Sequence, residues 1–347
     1  MMAYRMVDWE KPPQMVEIDI PQPGPGEILI KVAGNGLCHS DFNMRVMPKA
    51  IGEMLGWNMP FTLGHEVGGW IEDLGQGVRG FSMWDPVALV SPHSCGTCSY
   101  CLSGHDNCCD QGFVGRGYGR DGGLAQYVLA GDVREVIKLD GLDPIAAGPL
   151  TDAGATSYHA VKRILPKLIP GSTAVIIGAG GLGSFAVQFL RVMSPARVIA
   201  VDTSSARLDF ALELGAHECL SGVTTSTTQE ILDLTKGQGA AAVLDFVGID
   251  ATIKAGIASV RKAGAFGLVG AGGGTFNQPW YDFLPKEAEI FTFQGATIID
   301  THAAIALAED GLIRNEIDAF PLKRVDEAYE KLDQGLLRGR AVVTPNN

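Results

Sequence analysis

One short segment of the chain carries five cysteines and offers metal-binding chemistry. Cys95, Cys98, Cys101 and Cys109 follow a CxxCxxC spacing, with seven residues before the fourth cysteine. Four thiolates from one loop suit a closed tetrahedral zinc site, in which no position remains for water or substrate. The spacing therefore predicts a structural zinc, with Cys108 as the alternative fourth ligand. A disulfide cluster and an iron–sulfur cluster are the other interpretations.

A glycine-rich turn between an apolar run and a helical segment predicts a dinucleotide site. The pattern is GxGxxG: Gly178 permits the tight turn, Gly180 lets the backbone approach a pyrophosphate, and Gly183 lets the helix pack closely. The free N–H groups at the helix N-terminus would bind the phosphates. The predicted cofactor-binding residues of this loop are Gly178, Gly180, Gly181, Leu182 and Gly183.

An acidic residue after the next strand indicates which cofactor binds. Asp202 ends that strand, where a carboxylate accepts the ribose hydroxyls of the adenosine. A 2′-phosphate there would meet like-charge repulsion, so the sequence favours NAD. Arg207 is read as lining the adenosine side, although an arginine nearby also suits a 2′-phosphate and keeps NADP as the alternative.

Two further runs place metal-ligand residue types beside glycine. They are Cys38-His39-Ser40-Asp41 and Gly64-His65-Glu66. Taken separately, Cys38 fits a core residue and His65 a structural histidine. Their occurrence in one chain with the glycine loop and the four-cysteine loop favours a second metal site.

These motifs resemble those of the zinc-containing, medium-chain alcohol dehydrogenases over essentially the whole chain. The matching segments are Gly36-Leu-Cys38-His-Ser40-Asp41, Gly64-His65-Glu66-x-x-Gly69, the cysteine loop, Gly178–Gly183, Asp202 and Gly339-Arg340. The resemblance implies a GroES-like, β-rich catalytic domain from residues 1–155 and 297–347. It also implies an inserted Rossmann NAD-binding domain from residues 156–296, and two zinc ions per chain, one catalytic and one structural.

The resemblance assigns the ligands of the catalytic zinc. Cys38 and His65 match two of them. The third ligand in the animal and yeast branches is a cysteine, whereas this chain has Asp152, as some bacterial members do. Because a carboxylate is also a sound zinc ligand, we expect the site to persist with an altered ligand set. Glu66 is expected beside the ligands or as an occasional fourth one.

Other roles also follow from the resemblance alone. Ser40 matches a hydroxyl that relays the proton of the alcohol. His39 and Arg340 match positions that face the cofactor pyrophosphate, and Thr156 one that packs by the nicotinamide. Several relatives end the relay at a histidine where this chain has Asn43, which cannot titrate. We therefore expect the proton to leave through the ribose hydroxyl and water, or through His39.

The expected reaction is reversible hydride transfer between NAD and an alcohol/ketone pair, with an open zinc site acting as Lewis acid. A secondary, bulky or aromatic substrate is expected by analogy with the Asp-ligand bacterial members. Trp57, His93 and Asn43 are expected to line the substrate cleft, with ordinary packing as the alternative for Trp57 and His93. A polyol or sugar dehydrogenase is the alternative in the superfamily. A zinc-free quinone reductase and a non-catalytic nucleotide-binding protein are alternatives of another class.

Two kinds of element must position these residues. Residues 1 to about 150 contain short apolar runs between glycine, proline and aspartate, typical of a β-rich domain. From about residue 172, compact apolar runs alternate with helical segments, which predicts a doubly wound parallel sheet and an α/β fold class. The predicted strands there are Thr173–Ile177, Arg197–Val201, Ala241–Phe246 and Ala265–Val269, and the helices Ser184–Val192, Ala206–Leu214 and Ala251–Lys262.

Composition excludes several classes of protein. The 347 residues include 27 Lys+Arg and 39 Asp+Glu, and the net charge of −12 argues against binding to nucleic acid or an anionic membrane. The uncharged stretch Leu168–Leu190 is long enough to span a bilayer, but Pro170 and its glycines predict strand, turn and helix instead. A cytoplasmic location is expected, where thiols stay reduced. By resemblance we expect a homotetramer, with a dimer as the alternative and Glu289–Gly295 as the pairing strand.

Overall fold

The computed structural model describes residues 1–276 and 279–347. The chain forms two compact units, one comprising Met1–Ala155 and Gly295–Asn347, the other Thr156–Gln294. The strands are β1 (Met2–Met6), β2 (Gln14–Glu17), β3 (Ile28–Gly36), β4 (Phe61–Thr62), β5 (Glu66–Leu74), β6 (Pro86–Leu89), β7 (Gly115–Arg116), β8 (Gly119–Arg120), β9 (Tyr127–Ala130), β10 (Val136–Lys138), β11 (Thr173–Ile177), β12 (Arg197–Asp202), β13 (Glu218–Ser221), β14 (Ala240–Asp245), β15 (Val260–Leu268), β16 (Glu289–Thr292), β17 (Ile317–Pro321) and β18 (Arg340–Thr344). The α-helices are α1 (Ser40–Arg45), α2 (Lys49–Met54), α3 (Ser99–Leu102), α4 (Pro144–Ala147), α5 (Ala153–Ile164), α6 (Gly183–Met193), α7 (Ser205–Glu213), α8 (Thr227–Leu234), α9 (Asp250–Ala258), α10 (Trp280–Phe283), α11 (Ile298–Glu309) and α12 (Val325–Asp333).

The first unit is built on a mixed, mainly antiparallel sheet of order β10-β6-β5-β3-β18-β17, with β9 also paired to β3. Strand β5 runs beside β3, with Glu66 opposite Gly36, and β18 pairs with β3 with Val342 opposite Gly36. The last strand of the chain therefore lies next to the strand that leads into Cys38.

A glycine at the end of β3 makes room for a carboxylate. A Cβ atom on Gly36 would lie 1.9 Å from Oε2 of Glu66, which no real side chain tolerates. Glycine at this position therefore lets the Glu66 side chain cross the end of β3. The close approach places Glu66 beside the residue pair that precedes Cys38.

A hydrophobic cluster of the first unit covers helix α12 on one face. The buried residues of this helix, Val325, Ala328, Tyr329 and Leu332, follow the spacing of a helix that packs one stripe against a core. Tyr4 from β1 and Phe61 from β4 belong to the same cluster. Helix α12 is thereby fixed against the strands at the start of the chain.

The second unit is a parallel sheet of order β13-β12-β11-β14-β15-β16. In chain order this is 3-2-1-4-5-6, the doubly wound arrangement of a Rossmann fold. Every residue of β11 and β14 is buried, as expected for strands covered on both faces. The predicted α/β fold, a β-rich domain joined to a doubly wound parallel sheet, is confirmed.

One predicted helix is too long. The segment Ala251–Lys262 was expected to be helical throughout, but α9 ends at Ala258 and Val260 begins β15. Val260 pairs with Ala240 in the parallel sheet, so ladder hydrogen bonds outside the segment decide its conformation. The apolar pattern alone does not separate the two states over so few residues.

The uncharged stretch Leu168–Leu190 has the predicted local structure. It contains β11, the glycine turn and most of α6. Over the described ranges, no helix is both long and apolar enough to cross a bilayer.

Candidate metal and nucleotide sites

Four side chains of the first unit converge near the ends of β3 and β5. Cys38 follows β3, His65 and Glu66 stand at the start of β5, and Asp152 follows the 3-10 turn Gly148–Thr151. One ligand atom from each of these four residues lies within 4.8 Å of the others. Nε2 of His65 is 3.5 Å from Oδ2 of Asp152. We call this group the Cys/His/Asp cluster.

The chemistry of the Cys/His/Asp cluster fits a zinc ion. A thiol, an imidazole and a carboxylate are all zinc-ligand types. Oε2 of Glu66 is buried without a hydrogen-bond partner, so the cluster has an acceptor that a cation would satisfy. Burial disfavours ionisation of Asp152, yet its hydrogen bond with His65 and the charges nearby hold its pKa below the usual value.

The imidazole of His65 has a carboxylate on the side away from the other ligands. Its Nδ1 lies 3.4 Å from Oδ1 of Asp41, which leaves Nε2 to face Asp152. The other carboxylate oxygen of Asp41 accepts hydrogen bonds from the backbone N–H of Cys38 at 3.1 Å and from the hydroxyl of Tyr329 at 3.0 Å. A carboxylate behind a histidine fixes its tautomer and ring orientation for metal binding.

A buried ion pair flanks the cluster. Nη2 of Arg340 donates to Oε1 of Glu66 and, at 2.9 Å, to the carbonyl of Leu37. Burial raises the pKa of Glu66 to about 7, although the nearby Arg340 opposes the shift. The sequence predicted a pyrophosphate contact for Arg340. In the structure its side chain is only 5% exposed and is held beside the cluster, and the phosphate contact stays a prediction.

The four-cysteine loop is assembled as a second cluster. The sulfur–sulfur distances are 3.9 Å for Cys95–Cys101, 3.5 Å for Cys98–Cys101 and 4.0 Å for Cys98–Cys109. Tetrahedral zinc with Zn–S bonds of about 2.3 Å requires about 3.8 Å between sulfurs. Hydrogen bonds from Thr97 and the Cys98 backbone lower the pKa of Cys95 to about 5, which favours the thiolate. Cys109 belongs to the group, whereas Cys108 is exposed.

The glycine loop of the second unit has the geometry of a phosphate-binding turn. Gly178 has a φ of +88°, and a Cβ on Gly183 would lie 1.8 Å from the carbonyl oxygen of Gly178. A Cβ on Gly180 would meet nothing nearer than the Arg207 guanidinium at 3.7 Å, so this face of the loop is open. Helix α6 begins at Gly183.

Asp202 links the next strand to the glycine loop. Its Oδ2 accepts the N–H of Ala179 at 2.8 Å, and its Oδ1 accepts that of Ser204 at 2.9 Å. Nη1 of Arg207 lies 3.8 Å from Oδ1. The carboxylate and the guanidinium therefore stand together at the predicted adenosine site.

The remaining predicted residues differ in their surroundings. Ser40 and Asn43 are exposed on α1, and the exposed His39 precedes that helix with its ring 5.9 Å from that of Phe42. Thr156 is buried on α5 in the second unit.

Two residues predicted for the substrate cleft have other neighbours. Trp57 is 6% exposed, packs on Phe61 and donates its indole N–H to the carbonyl of Phe113 at 2.7 Å, and its role at the substrate cleft stays a prediction. His93 lies 3.5 Å from Glu135 and lines a cavity of about 370 Å³. No residue of the Cys/His/Asp cluster lines this cavity. Both residues thus have ordinary packing partners.

Three residues near the cluster were missed by sequence reasoning. Asp41 belongs to the motif that begins at Cys38, but nothing in the sequence indicated its position behind His65. Tyr118 packs its ring edge-on to His65 at 6.1 Å, and Tyr329 comes from a distant helix. Because such contacts join remote segments, no local pattern identifies them.

Comparison with known proteins agrees with this arrangement. Residues 24–141 match the family profile described as alcohol dehydrogenase GroES-like domain, and residues 181–310 the profile described as zinc-binding dehydrogenase. An NAD-dependent alcohol dehydrogenase of Sulfurisphaera tokodaii is 34% identical, with 99% of this chain and 100% of the relative covered. A D-arabinose 1-dehydrogenase (NADP(+)) of Saccharolobus solfataricus is 31% identical, with 99% of this chain and 97% of the relative covered.

A solved structure shares the whole fold. The alcohol dehydrogenase of Aeropyrum pernix superposes with a TM-score of 0.91 at 33% identity, covering 99% of this chain and 100% of that one. The two profiles and the full-length relatives define the class: the chain belongs to the zinc-containing, medium-chain alcohol dehydrogenase family. It is an oxidoreductase, as the motifs predicted.

Proposed function

We propose that this protein is an NAD-dependent zinc alcohol dehydrogenase that interconverts a secondary alcohol and its ketone. The observation that carries the proposal is the convergence of Cys38, His65 and Asp152 in a chain that also has a nucleotide-type glycine loop. We assign catalysis to the first unit and NAD binding to the second.

Two groups of side chains are assigned as zinc ligands. Cys38, His65 and Asp152 would hold a zinc ion, with Glu66 beside them, and Cys95, Cys98, Cys101 and Cys109 would hold a structural one. When bound, the zinc supplies Lewis acidity at the substrate oxygen, and NAD supplies the hydride acceptor.

Proton transfer falls to residues next to Cys38. The Ser40 hydroxyl, exposed at the start of α1, would accept the proton that the substrate hydroxyl loses. Asn43, one turn further on, has no titratable proton. The proton therefore continues through the ribose hydroxyl and water, or through the exposed His39.

The nucleotide is assigned to the loop Gly178–Gly183 and to Asp202. The open face at Gly180 admits a pyrophosphate, and the carboxylate of Asp202 disfavours a 2′-phosphate. Thr156 is proposed to pack by the nicotinamide.

A hydrophobic ketone is the proposed substrate class. Phe42, Met54 and Leu55 make the segments after Cys38 apolar, and Met54 is 76% exposed. A sugar or polyol dehydrogenase is the second candidate, favoured by the similarity to an enzyme named for D-arabinose. Rates for an aromatic ketone, sorbitol and an aldose, each measured with both nicotinamide cofactors, separate the two. Faster turnover of the sugars would reject our choice.

Metal analysis tests the proposal against a zinc-free reductase or a non-catalytic nucleotide-binding protein. We expect two zinc ions per chain, one of which a chelator removes together with activity. A single, tightly held zinc with activity unaffected by the chelator would contradict the assignment.

Assembly and location complete the proposal. We propose a cytoplasmic homotetramer, because unpaired thiols persist in a reducing compartment and β16 is an edge strand available to a second copy. Light scattering of the wild type and of Ile290→Pro, which interrupts that edge, tests the assembly. A monomeric wild type would contradict it.

A further inference from the structure

We propose that Tyr329 is a positioning residue for the metal site. Its hydroxyl, on helix α12 near the carboxyl end of the chain, holds the Asp41 carboxylate that in turn faces His65. The inference rests on the proposed function, in that the Cys/His/Asp cluster is taken to hold zinc.

The two carboxylate oxygens of Asp41 face different neighbours. Oδ2 accepts two hydrogen bonds, from the Cys38 N–H at 3.1 Å and from the Tyr329 hydroxyl at 3.0 Å. Oδ1 lies 3.4 Å from Nδ1 of His65, and these two buried atoms have no hydrogen-bond partner. Because two donors bond to Oδ2, the carboxylate is held with Oδ1 directed at the imidazole of His65.

Tyr329 is itself firmly held. It is 1% exposed within the hydrophobic cluster, and the Arg45 guanidinium lies 4.7 Å from its ring centroid. Burial, together with the Asp41 carboxylate, holds the pKa of its hydroxyl well above the usual value, so the group remains a donor. The side chain therefore connects α12 to the Asp41 carboxylate, whose other oxygen faces His65.

Loss of the hydroxyl would leave Asp41 with a single donor on Oδ2. Since Asp41 is fully buried, no bulk water replaces the lost hydrogen bond. The carboxylate would turn to share its oxygens between the Cys38 N–H and His65, and the imidazole would lose its fixed orientation. Partners behind metal ligands of this kind affect metal affinity by about 10- to 100-fold when removed.

The chain offers a matched control. Tyr4 is 2% exposed in the same cluster, its ring centroid lies 6.2 Å from that of Tyr329, and its hydroxyl donates to Asp326 on the same helix. Tyr4→Phe therefore removes a hydroxyl from the same packing layer without touching Asp41.

The experiment follows zinc release from the purified holoenzymes to an excess of a chromophoric chelator. The kinetic phase of zinc release that is absent from Asp152→Ala is assigned to the Cys/His/Asp cluster. In Tyr329→Phe we expect this phase to accelerate by about 10-fold or more, while the four-cysteine phase and Tyr4→Phe match the wild type. In an Asp41→Asn background, Tyr329→Phe should add little further acceleration, because it acts through Asp41.

Each other outcome overturns the inference. Equal release from wild type and Tyr329→Phe would show that the hydroxyl does not position the site. Faster release of both zinc ions from Tyr329→Phe would show that the substitution destabilises the protein in general. Faster release from Tyr4→Phe as well would show the same. A wild type that holds only the four-cysteine zinc would overturn the proposed function as well, and zinc counts on the wild type separate that case.

Discussion

Asp152 is the proposed third ligand of the catalytic zinc, and its Oδ2 lies 3.5 Å from Nε2 of His65 within the ligand cluster. A carboxylate oxygen carries the same formal charge as a thiolate, so the cluster keeps its charge balance. The residue sits after a 3-10 turn rather than in a strand. A carboxylate at this turn therefore reaches the cluster without any strand residue being involved.

Asp152→Ala should remove one zinc per chain, whereas Asp152→Cys should retain both, because cysteine restores a ligand of equal charge. Zinc is counted by atomic emission after gel filtration. Two zinc ions in Asp152→Ala would remove this residue from the ligand set. The four-cysteine loop serves as the internal control for both variants.

Ser40→Ala should lower kcat by about 100-fold, in the range of lost proton-transfer assistance, with the zinc content unchanged. Ser40→Thr, which keeps the hydroxyl, is the control. Steady-state rates at saturating NAD and a pH profile of kcat are the measurements. A variant with kcat near that of the wild type would exclude the relay role.

At the scale of the elements, the turn between β11 and α6 separates two uses of glycine. Gly183 is required by packing, since its Cβ would strike the carbonyl of Gly178 at 1.8 Å. Gly180 has no such neighbour, and its Cβ would point toward open space near Arg207. One loop therefore carries a structural glycine and a glycine kept free for a ligand.

Gly180→Ala should leave the melting temperature of the cofactor-free protein near that of the wild type and raise the Kd for NAD by about 10-fold or more. Gly183→Ala should lower both stability and NAD affinity, because α6 must move. Differential scanning fluorimetry without and with NAD separates the effects. A clearly lower melting temperature of cofactor-free Gly180→Ala would contradict the conclusion that Gly180 serves ligand binding and Gly183 serves packing.

Helices, strands and clusters could be predicted from the sequence where the pattern of apolar residues or cysteines lies within one short segment. Strand β11 has its predicted bounds, and the four-cysteine group follows from spacing alone. Helix α9 was overextended because sheet pairing decided its end, and α5, α8 and β13 were not predicted. The partners of Asp41 and Glu66 could not be read from the sequence, because Tyr329 and Arg340 lie 288 and 274 positions away from them.

At the scale of the whole molecule, acid stability is expected to depend on partly buried carboxylates with fixed partners such as Glu135. Glu135 bonds to Arg116 at 2.6 Å and lies 3.5 Å from His93. Burial would raise the pKa of Glu135, but the charge of Arg116 and the hydrogen bond from His93 lower it to about 2. A lowered pKa stabilises the fold above the unfolded-state value and loses that contribution as pH falls toward 2.

Glu135→Gln should therefore destabilise the protein by about 2–3 kcal/mol near pH 7, with the difference from wild type shrinking below about pH 4.5. Urea unfolding at a series of pH values measures this difference. The exposed Glu17→Gln is the control and should show little effect. A difference that grows as pH falls would reverse the assigned sign.

The pairing of β18 with β3 has a consequence for biosynthesis. Leu37 and Arg340 are 303 positions apart yet share a hydrogen bond, and the ion pair with Glu66 needs the same late residue. During translation, Cys38 and His65 emerge long before the strand that completes their surroundings. The second unit is contiguous, so all of its strands are available earlier. Zinc capture at the Cys/His/Asp cluster is thus expected only after β18 has been synthesised and has paired with β3.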